Sequence, residues 1–519
     1  MTRTPTSGPR QRLARASLLA AVFVCAACGL VYELALVTLG SYLIGNTARQ
    51  ASIVLGIMVF AMGVGALAAK PLQRRAVGTF AVIELLLALF GGLSVMALYA
   101  AFAWLSLYTF AMVVVAVIVG ILIGAEIPLL MVMLQRIRKQ SAGSAVADLF
   151  AADYVGALIG GLVFPFLLLP VFGQIRGALI VGAVNAIAGV AVVFGLFRKQ
   201  MRRRTKWILA VISGAVSLIL IGGYVYSDRF EVAAQQALFS QPIVYSQQTQ
   251  YQQIVLTESV SPFASNDLRL YLNGDLQFAE HDEYRYHESL VHPVMAPHPK
   301  DVLILGGGDG LALREVLKYD DVENVTLVEL DPAMTELGST DSRLTALNKD
   351  AFEDPRVNVV NADAFSWLRG NKEKYESIIV DMPDPDETAT AKLYTVEFYG
   401  IVASTLSTDG VMVVQAGSPY FAPKSFWSIG KSIAKADLES VPYHVTVPSF
   451  GADWGYHLAA KESAPKLWMD PPEKLQFLND ETLANSTVFP EDRKPMDVKV
   501  STLMHPVILD YAQSEWDVG

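Results

Sequence analysis

A series of long apolar stretches is the feature that most constrains this chain. The stretches occupy residues 17–44, 51–69, 79–104, 107–134, 154–172, 177–197 and 207–226. Each is close to or longer than the roughly 20 residues that an α-helix needs to cross a bilayer. Small residues such as Gly160 and Gly161 recur in them, and small residues let membrane helices pack closely. The sequence therefore predicts a multi-pass α-helical membrane domain of about seven helices over 17–226, preceded by a basic tail at 1–16.

The charges divide the chain at the same point. Residues 1–226 carry 18 Lys and Arg against five Asp and Glu, whereas the remainder carries 22 against 45. A basic membrane part is thus joined to an acidic part. No basic stripe appears in the acidic part, so the sequence predicts no nucleic-acid partner.

Ionisable residues inside apolar stretches are costly and therefore informative. Glu33 lies within the first stretch, and Glu126 lies two residues before Pro128 in the fourth. Either residue could belong to a cation site or cation path within the membrane, or could simply form hydrogen bonds between helices. Cys25 and Cys28 have C-x-x-C spacing, but we interpret them as small apolar helix residues. No metal site is predicted.

The most informative stretch of the acidic part is VLILGGGDG, from Val302 to Gly310. Apolar residues run into glycines and then into a helix-like segment, which predicts a buried strand, a tight turn and a helix start. Glycines allow backbone N–H groups to approach a ligand that a Cβ would block. Leu311 stands where a G-x-G-x-x-G motif has its last glycine, which favours a nucleoside of the S-adenosyl type over a dinucleotide.

Acidic residues recur where later strands are expected to end. Glu329 ends the next strand, where a carboxylate can accept hydrogen bonds from both ribose hydroxyls of a nucleoside. Asp363 and Asp381 follow at two later strand ends. Because the carboxyl ends of the strands form the ligand crevice of an open α/β sheet, we expect these three residues to meet Asp309 and Asp384 in one pocket.

The pattern of strands and turns predicts the domain organisation. Asn273-Gly274 is a strong hairpin signal, so a small antiparallel β unit precedes a doubly wound, Rossmann-like α/β domain. Strands of that domain are predicted at 302–305, 325–329, 357–360, 376–381, 410–415, 440–447 and 455–460. The predicted segments after the membrane domain are a connecting helix at 227–242, the β unit at 243–300, the Rossmann-like nucleoside-binding domain at 301–463, and a tail at 464–519 that packs on it.

Several motifs in this order resemble one known family. They are YQQIVLTE (251–258), YLNGDLQFAEHDEYRYHESLVH (271–292), GGGDG, VELD, NADAF and DMPDP. Together they resemble the spermidine synthase family of aminopropyltransferases, over roughly residues 244–461. The resemblance implies a membrane-integral member of that family.

The resemblance also implies residue roles. Asp381 would be the catalytic base, aided by Tyr286. The donor would contact Gln277 and Asp309 at its aminopropyl end. Glu329 would bind its ribose, and Asp363 would bind its adenine amino group. The rest of the donor site would be lined by Gln252, Gly306 and Gly308. The acceptor side would include Asp384 at the distal ammonium, together with His287 and Trp454.

The acceptor side departs from the family pattern. The family commonly has D-S-S-D-P, where this chain has DMPDP at 381–385. The family's later tyrosine motif is replaced by PSFGADWGY at 448–456, and neither Phe450 nor Trp454 can supply the same hydroxyl. These differences put putrescine as the acceptor in doubt.

The favoured function is aminopropyl transfer from decarboxylated S-adenosylmethionine to an amine, with release of methylthioadenosine and with no tightly bound cofactor. One alternative is a lyase or cyclising reaction on S-adenosylmethionine itself, and methyl transfer is a less favoured one. Another alternative is a membrane sensor or transporter with a nucleoside-binding regulatory domain. The expected partners are the small-molecule substrates, membrane lipid and further copies of the chain.

Basic residues predict the orientation in the inner membrane. The tail and the segments 70–75, 136–139 and 198–206 hold 16 Lys and Arg, whereas the opposite loops hold only Arg49 and Arg176. Lys and Arg accumulate in cytoplasmic loops, so seven crossings would place the acidic domain outside. A cytoplasmic location is the alternative, because the sulfonium donor is made in the cytoplasm.

Overall fold

A computed structural model describes residues 9–44, 47–137, 142–259 and 267–516. The chain divides into two compact units, Met1–Ser240 and Gln241–Gly519. The described residues leave out three of the segments discussed above. These are residues 1–8, which are half of the predicted basic tail, part of the basic segment at 136–139, and the last three residues.

All regular secondary structure in the described part of the first unit is helical. Its helices are α1 Pro9–Ile44, α2 Thr47–Ala68, α3 Ala76–Leu105, α4 Tyr108–Ile137, α5 Ala142–Val163, α6 Leu169–Leu196 and α7 Arg203–Gln236. Among the described residues, six helical stretches are long and apolar enough to cross a membrane. Many large apolar side chains on their outer surfaces are exposed, including Phe60, Phe110 and Leu218.

Two boundaries in this unit differ from the prediction. The fifth and sixth apolar stretches belong to one 52-residue helical stretch, Ala145–Leu196, in which a π-helical turn at Phe164–Leu168 joins α5 to α6. Gly173, with φ of 70° and ψ of −179°, interrupts the helical backbone there. The predicted separate connecting helix at 227–242 was wrong, because α7 continues without a break to Gln236.

The second unit begins with a four-stranded antiparallel sheet in the order β1-β2-β3-β4. Its strands are β1 Ile243–Gln248, β2 Gln253–Ser259, β3 Asp267–Leu272 and β4 Asp275–Ala279. Asn273 and Gly274 both have positive φ and form the tight turn between β3 and β4. Helix α8, Glu283–Met295, then leads into the larger sheet.

A seven-stranded sheet in the order β10-β11-β9-β8-β5-β6-β7 forms the core of this unit. The strands are β5 Asp301–Gly306, β6 Asn324–Glu329, β7 Val357–Asn361, β8 Tyr375–Asp381, β9 Leu406–Gln415, β10 Glu439–Val447 and β11 Ala452–Ala460. The first five are parallel, and β10 and β11 are antiparallel. All seven predicted strands are therefore present, and the predicted Rossmann-like fold is confirmed.

Helices separate the parallel strands along the chain. They are α9 Leu311–Val316, α10 Pro332–Thr340, α11 Ser342–Asn348, α12 Ala364–Gly370, α13 Thr388–Ala391, α14 Val396–Thr405 and α15 Pro423–Lys435, followed in the tail by α16 Asp480–Asn485 and α17 Val507–Trp516. Val302 to Leu305 in β5 are completely buried, as expected for a central parallel strand covered on both faces.

The C-terminal tail packs on this unit through specific hydrogen bonds. The buried carboxylate of Glu288 accepts hydrogen bonds of 2.8–2.9 Å from the backbone N–H groups of Gln476, Phe477 and Leu478. Farther along, the Glu515 carboxylate accepts hydrogen bonds from the first turn of α15. The tail therefore belongs to the second unit.

Candidate active site

A cavity of about 510 Å³ lies at the carboxyl ends of the parallel strands. Strand register explains its position, because Gly306 at the end of β5 lies opposite Asp381 at the end of β8. All twelve residues predicted for the site line this cavity: Gln252, Gln277, Tyr286, His287, Gly306, Gly308, Asp309, Glu329, Asp363, Asp381, Asp384 and Trp454. The structure thus brings the predicted residues together, while their individual roles remain predictions.

Asp381 and Tyr286 form a close pair in the cavity wall. The Tyr286 hydroxyl donates a 2.6 Å hydrogen bond to Asp381 Oδ1. Burial raises the pKa of Asp381 to about 6, although the charge of His287 and the hydrogen bond from Tyr286 oppose that shift. A carboxylate with a pKa slightly below neutrality can be ionised at pH 7 and still accept a proton efficiently.

The glycine turn is shaped by close contacts that only glycine permits. Gly306 has φ of 88°, and a Cβ there would lie 1.9 Å from the carbonyl oxygen of Asp381. A Cβ on Gly308 would lie 2.9 Å from Cγ of Glu329 and 2.9 Å from Cγ of Met334. The turn is therefore held between the end of β8 and the carboxylate that ends β6.

Glu329 lies at the end of the cavity where the donor is predicted to bind. Glu329 Oε1 accepts a 3.0 Å hydrogen bond from the backbone N–H of Asp331. Burial raises the pKa of Glu329 to about 7, with a further contribution from the charges of Asp331 and Asp309. Asp331, which the sequence analysis missed, accepts a hydrogen bond from the Gln252 side chain at 3.2 Å and so holds Gln252 at the cavity.

Asp363 has partners that the sequence did not predict. Its Oδ1 accepts a 2.9 Å hydrogen bond from the backbone N–H of Ser366, so it caps the start of α12. Its Oδ2 lies 2.5 Å from Lys392 Nζ. Burial alone would raise the pKa of Asp363, but the bonds from Lys392 and Ser366 outweigh burial and lower it. A carboxylate at this position therefore remains ionised at the edge of the cavity.

The end of the cavity where the acceptor is predicted to bind contains a network centred on Gln415, the last residue of β9. The Gln415 amide donates to Asp384 Oδ1 at 3.2 Å, and its Oε1 accepts from Trp454 Nε1 at 3.2 Å. Sequence analysis missed Gln415 because a single glutamine at a strand end carries no distinctive motif. Its position at the end of a parallel strand is the signal that could have found it.

Three further acids line the same end of the cavity. They are Asp275, Asp386 and Glu387. Burial raises the pKa of Asp384 to about 7, and the charges of Asp386 and Asp275 add to the effect. These carboxylates raise one another's pKa because their negative charges repel. A nearby positive charge would relieve that repulsion, so this end of the cavity favours a cationic ligand.

His287 belongs to a buried chain of charged groups. Its Nδ1 lies 2.8 Å from Glu283 Oε2, and Glu283 forms two hydrogen bonds with Arg314 at 2.8 and 3.0 Å. Burial lowers the pKa of His287, but the Glu283 hydrogen bond and the charges of Glu283, Asp309 and Asp381 outweigh it and raise the pKa overall. These bonds fix the ring beside Tyr286, with ring centroids 4.9 Å apart.

Comparison of this chain with known proteins tests the family resemblance that its motifs suggested. The Spermine/spermidine synthase domain matches residues 283–468, which include both Asp381 and Tyr286. A curated relative from Streptomyces coelicolor, polyamine aminopropyltransferase 1, is 56% identical over 99% of this chain and 97% of its own length. The chain belongs to the spermidine synthase family. The resemblance read from the motifs is therefore confirmed, and the protein is a transferase enzyme.

A second relative and a solved structure extend the comparison within the spermidine synthase family. A polyamine aminopropyltransferase from Mycobacterium tuberculosis is 45% identical over 97% of this chain and 97% of its own length. Similarity to these relatives extends through the helical unit as well as the sheet-containing unit. A solved spermidine synthase in complex with the transition-state analogue AdoDATO is 31% identical, over 49% of this chain and 87% of its own, with a TM-score of 0.44.

Replacing Glu329 by alanine should weaken donor binding by about 1–3 kcal/mol, the range for losing a buried hydrogen bond to a charged group. The measurement is calorimetric titration with methylthioadenosine at pH 8, where Glu329 is mostly ionised. Glu323→Ala is the control, because Glu323 is 60% exposed and lies just before the start of the same strand. Wild-type affinity in Glu329→Ala would contradict the ribose assignment.

Proposed function

We propose that this family member is a membrane-bound aminopropyltransferase that uses decarboxylated S-adenosylmethionine and a polyamine. The observation that carries the proposal is the Asp381–Tyr286 pair, which lies in one cavity with Glu329 and Asp363 and with a group of acids at Asp384. A nucleoside donor suits the first two carboxylates, and a polycation suits the acids. No tightly bound cofactor is needed for this reaction.

The reaction is a displacement at the carbon that joins the aminopropyl group to sulfur. The amine nitrogen of the acceptor forms the new C–N bond, and the C–S electron pair leaves with sulfur as a neutral thioether. Because the leaving group is neutral, it needs no acid catalyst. The acceptor amine is protonated in water, with a pKa near about 10, so its proton must be removed, and Asp381 is positioned to take it.

The acceptor end favours a chain with more than one ammonium group. Asp384 can hold one ammonium, while Asp275, Asp386 and Glu387 line the adjoining part of the cavity. Phe450 and Trp454, with ring centroids 4.6 Å apart, supply an apolar wall for the methylene segments. Because putrescine carries only one ammonium group besides its reacting amine, the several acids and the apolar wall lead us to propose a larger or more apolar amine as the preferred acceptor.

The decisive experiment incubates the purified full-length protein with each sulfonium and detects methylthioadenosine. We expect rapid release only with decarboxylated S-adenosylmethionine plus an amine, and poor activity with putrescine. Release from S-adenosylmethionine without an amine would instead support a lyase or cyclising reaction. Binding of methylthioadenosine without any turnover would support a sensor or transporter, and fast transfer to putrescine would contradict the acceptor proposal.

We also propose that the first unit spans the inner membrane and that the chain forms a homo-oligomer. Six described helical stretches have the necessary length and apolar character, and the outward-facing side chains are largely apolar. The 52-residue stretch Ala145–Leu196 exceeds twice the roughly 20 residues of one crossing. Seven crossings and the distribution of Lys and Arg favour an external location for the catalytic unit.

A reporter fused after Gly519 tests this orientation. Alkaline phosphatase should be active and green fluorescent protein dark, because the first folds outside and the second inside. A fusion after Lys199, in a segment proposed to be cytoplasmic, should give the reverse pattern and serves as the control. Bright green fluorescence from the Gly519 fusion would place the catalytic unit in the cytoplasm, where its sulfonium donor is made.

A further inference from the structure

A second group of chemically reactive side chains lies inside the helical unit, separate from the catalytic cavity. Cys25 of α1, Glu84 of α3 and Glu126 of α4 come together there, with the ligand atoms of all three within 4.8 Å of one another. Their exposed fractions are 1%, 0% and 5%. Three helices that are distant in sequence thus each contribute one potential metal ligand to the same buried point.

No positive charge is described beside the carboxylates in this group. Neither oxygen of the Glu84 carboxylate, nor Oε1 of Glu126, forms a geometrically well-defined hydrogen bond among the described residues, although the Cys25 thiol and the Asn185 amide lie close enough to interact with Glu84. A buried carboxylate without hydrogen bonds or an opposite charge is strongly destabilising. Two of them, within 4.8 Å of each other and of a thiol, must therefore either be protonated or share a cation.

Helix α6 is shaped to accommodate Glu84. A Cβ on Gly189 would lie 2.6 Å from Cβ and 2.8 Å from Cγ of Glu84, so glycine is required for this close packing. One turn earlier, the Asn185 side chain donates a 3.2 Å hydrogen bond to the backbone carbonyl of Glu84. Asn185 Oδ1 is also buried without a hydrogen bond among the described residues.

We propose that Cys25, Glu84 and Glu126 bind a divalent transition-metal ion of the zinc type within the helical unit. A thiolate selects zinc-like ions over magnesium and calcium, which prefer all-oxygen sites. A zinc-like ion accepts mixed sulfur and carboxylate ligands in a tetrahedral site. The ion would neutralise the two carboxylates and tie α1, α3 and α4 together, so its role is to stabilise the helical unit.

The sequence analysis did not find this site. It singled out Glu33 together with Glu126, whereas the structure brings Glu84, not Glu33, to Glu126. Glu33 is half-buried and is not among the three grouped ligands. The cysteine spacing was also uninformative, because Cys28 donates to the backbone carbonyl of Val181 at 3.8 Å.

Metal content of the full-length protein in detergent tests the proposal. After equilibration with Zn²⁺ and removal of the excess, mass spectrometry should find about one zinc ion per chain in the wild type. Glu84→Gln and Cys25→Ser should each lower the zinc content at least about tenfold, because losing a direct ligand should cost no less than the roughly 10–100-fold in affinity that losing an outer-shell partner costs. Glu33→Gln is the matched control, and it should retain the wild-type content.

Thermal unfolding provides an independent readout that guards against misfolded variants. Zn²⁺ should raise the Tm of the wild type and of Glu33→Gln, and a chelator should reverse the increase. Each ligand variant should keep the wild-type helical circular dichroism in detergent, which shows that the helical unit is folded, but its Tm should not respond to Zn²⁺. Zinc-free wild-type protein with an unresponsive Tm, or equal zinc content in all variants, would overturn the proposal. Neither result depends on aminopropyl transfer.

Discussion

Asp381→Asn should lower kcat by about 10²–10⁴-fold, the range that a positioned general base contributes. Asparagine keeps the shape of the side chain and can still accept the hydrogen bond from Tyr286, but it cannot take a proton from the acceptor amine. Methylthioadenosine binding should change little, because Glu329 and the glycine turn form the predicted donor end. The measurement is methylthioadenosine release with saturating substrates, alongside calorimetric titration.

The pH dependence checks the same assignment. Because burial raises the pKa of Asp381 to about 6, its carboxylate is mostly ionised at pH 7.5 and becomes protonated as the pH falls through 6. Wild-type kcat/KM, which reports the pKa of the free enzyme, should therefore fall with decreasing pH around 6. The residual activity of Asp381→Asn should lack that decline. Tyr286→Phe is the matched control, since it removes the 2.6 Å hydrogen bond but keeps the base. Equal loss of nucleoside binding in Asp381→Asn would show that Asp381 has a binding role instead.

Gly306→Ala should destabilise the catalytic unit by more than about 2 kcal/mol and abolish donor binding. The left-handed backbone at φ of 88° costs a residue with a Cβ roughly 1–2 kcal/mol. The new Cβ would also lie 1.9 Å from the carbonyl oxygen of Asp381, so the ends of β5 and β8 would have to separate. Thermal unfolding of the full-length protein should show a Tm for this unit at least about 5 °C lower.

Gly400→Ala is the control for this substitution. Gly400 lies inside α14, and a Cβ there would meet nothing within 4 Å. Alanine favours the helix over glycine by about 0.5–1 kcal/mol, so this variant should be as stable as the wild type or slightly more stable. If Gly306→Ala behaved like Gly400→Ala, the close packing of the glycine turn on β8 would be contradicted.

The sequence by itself determined the fold of the catalytic unit and the place of its cavity. Parallel strands buried on both faces appear as short apolar runs, and each run here ends at a turn or a charged residue, so β5, β6, β7 and β8 could be located to within a residue or two. Because the carboxyl ends of parallel strands lie at one edge of a sheet, the sequence alone was enough to predict that Glu329 and Asp381 share one crevice.

Only the tertiary structure decided which side chains pair with one another. Gln415 joins Asp384 to Trp454, and Lys392 binds Asp363, through contacts between elements distant in the chain. The same holds in the helical unit, where the sequence pointed to Glu33 and the structure brought Glu84 to Glu126. A strand edge has fixed geometry, so its residues can be placed from sequence. Helices that are apolar all round carry no such marker, and only their packing shows which faces meet.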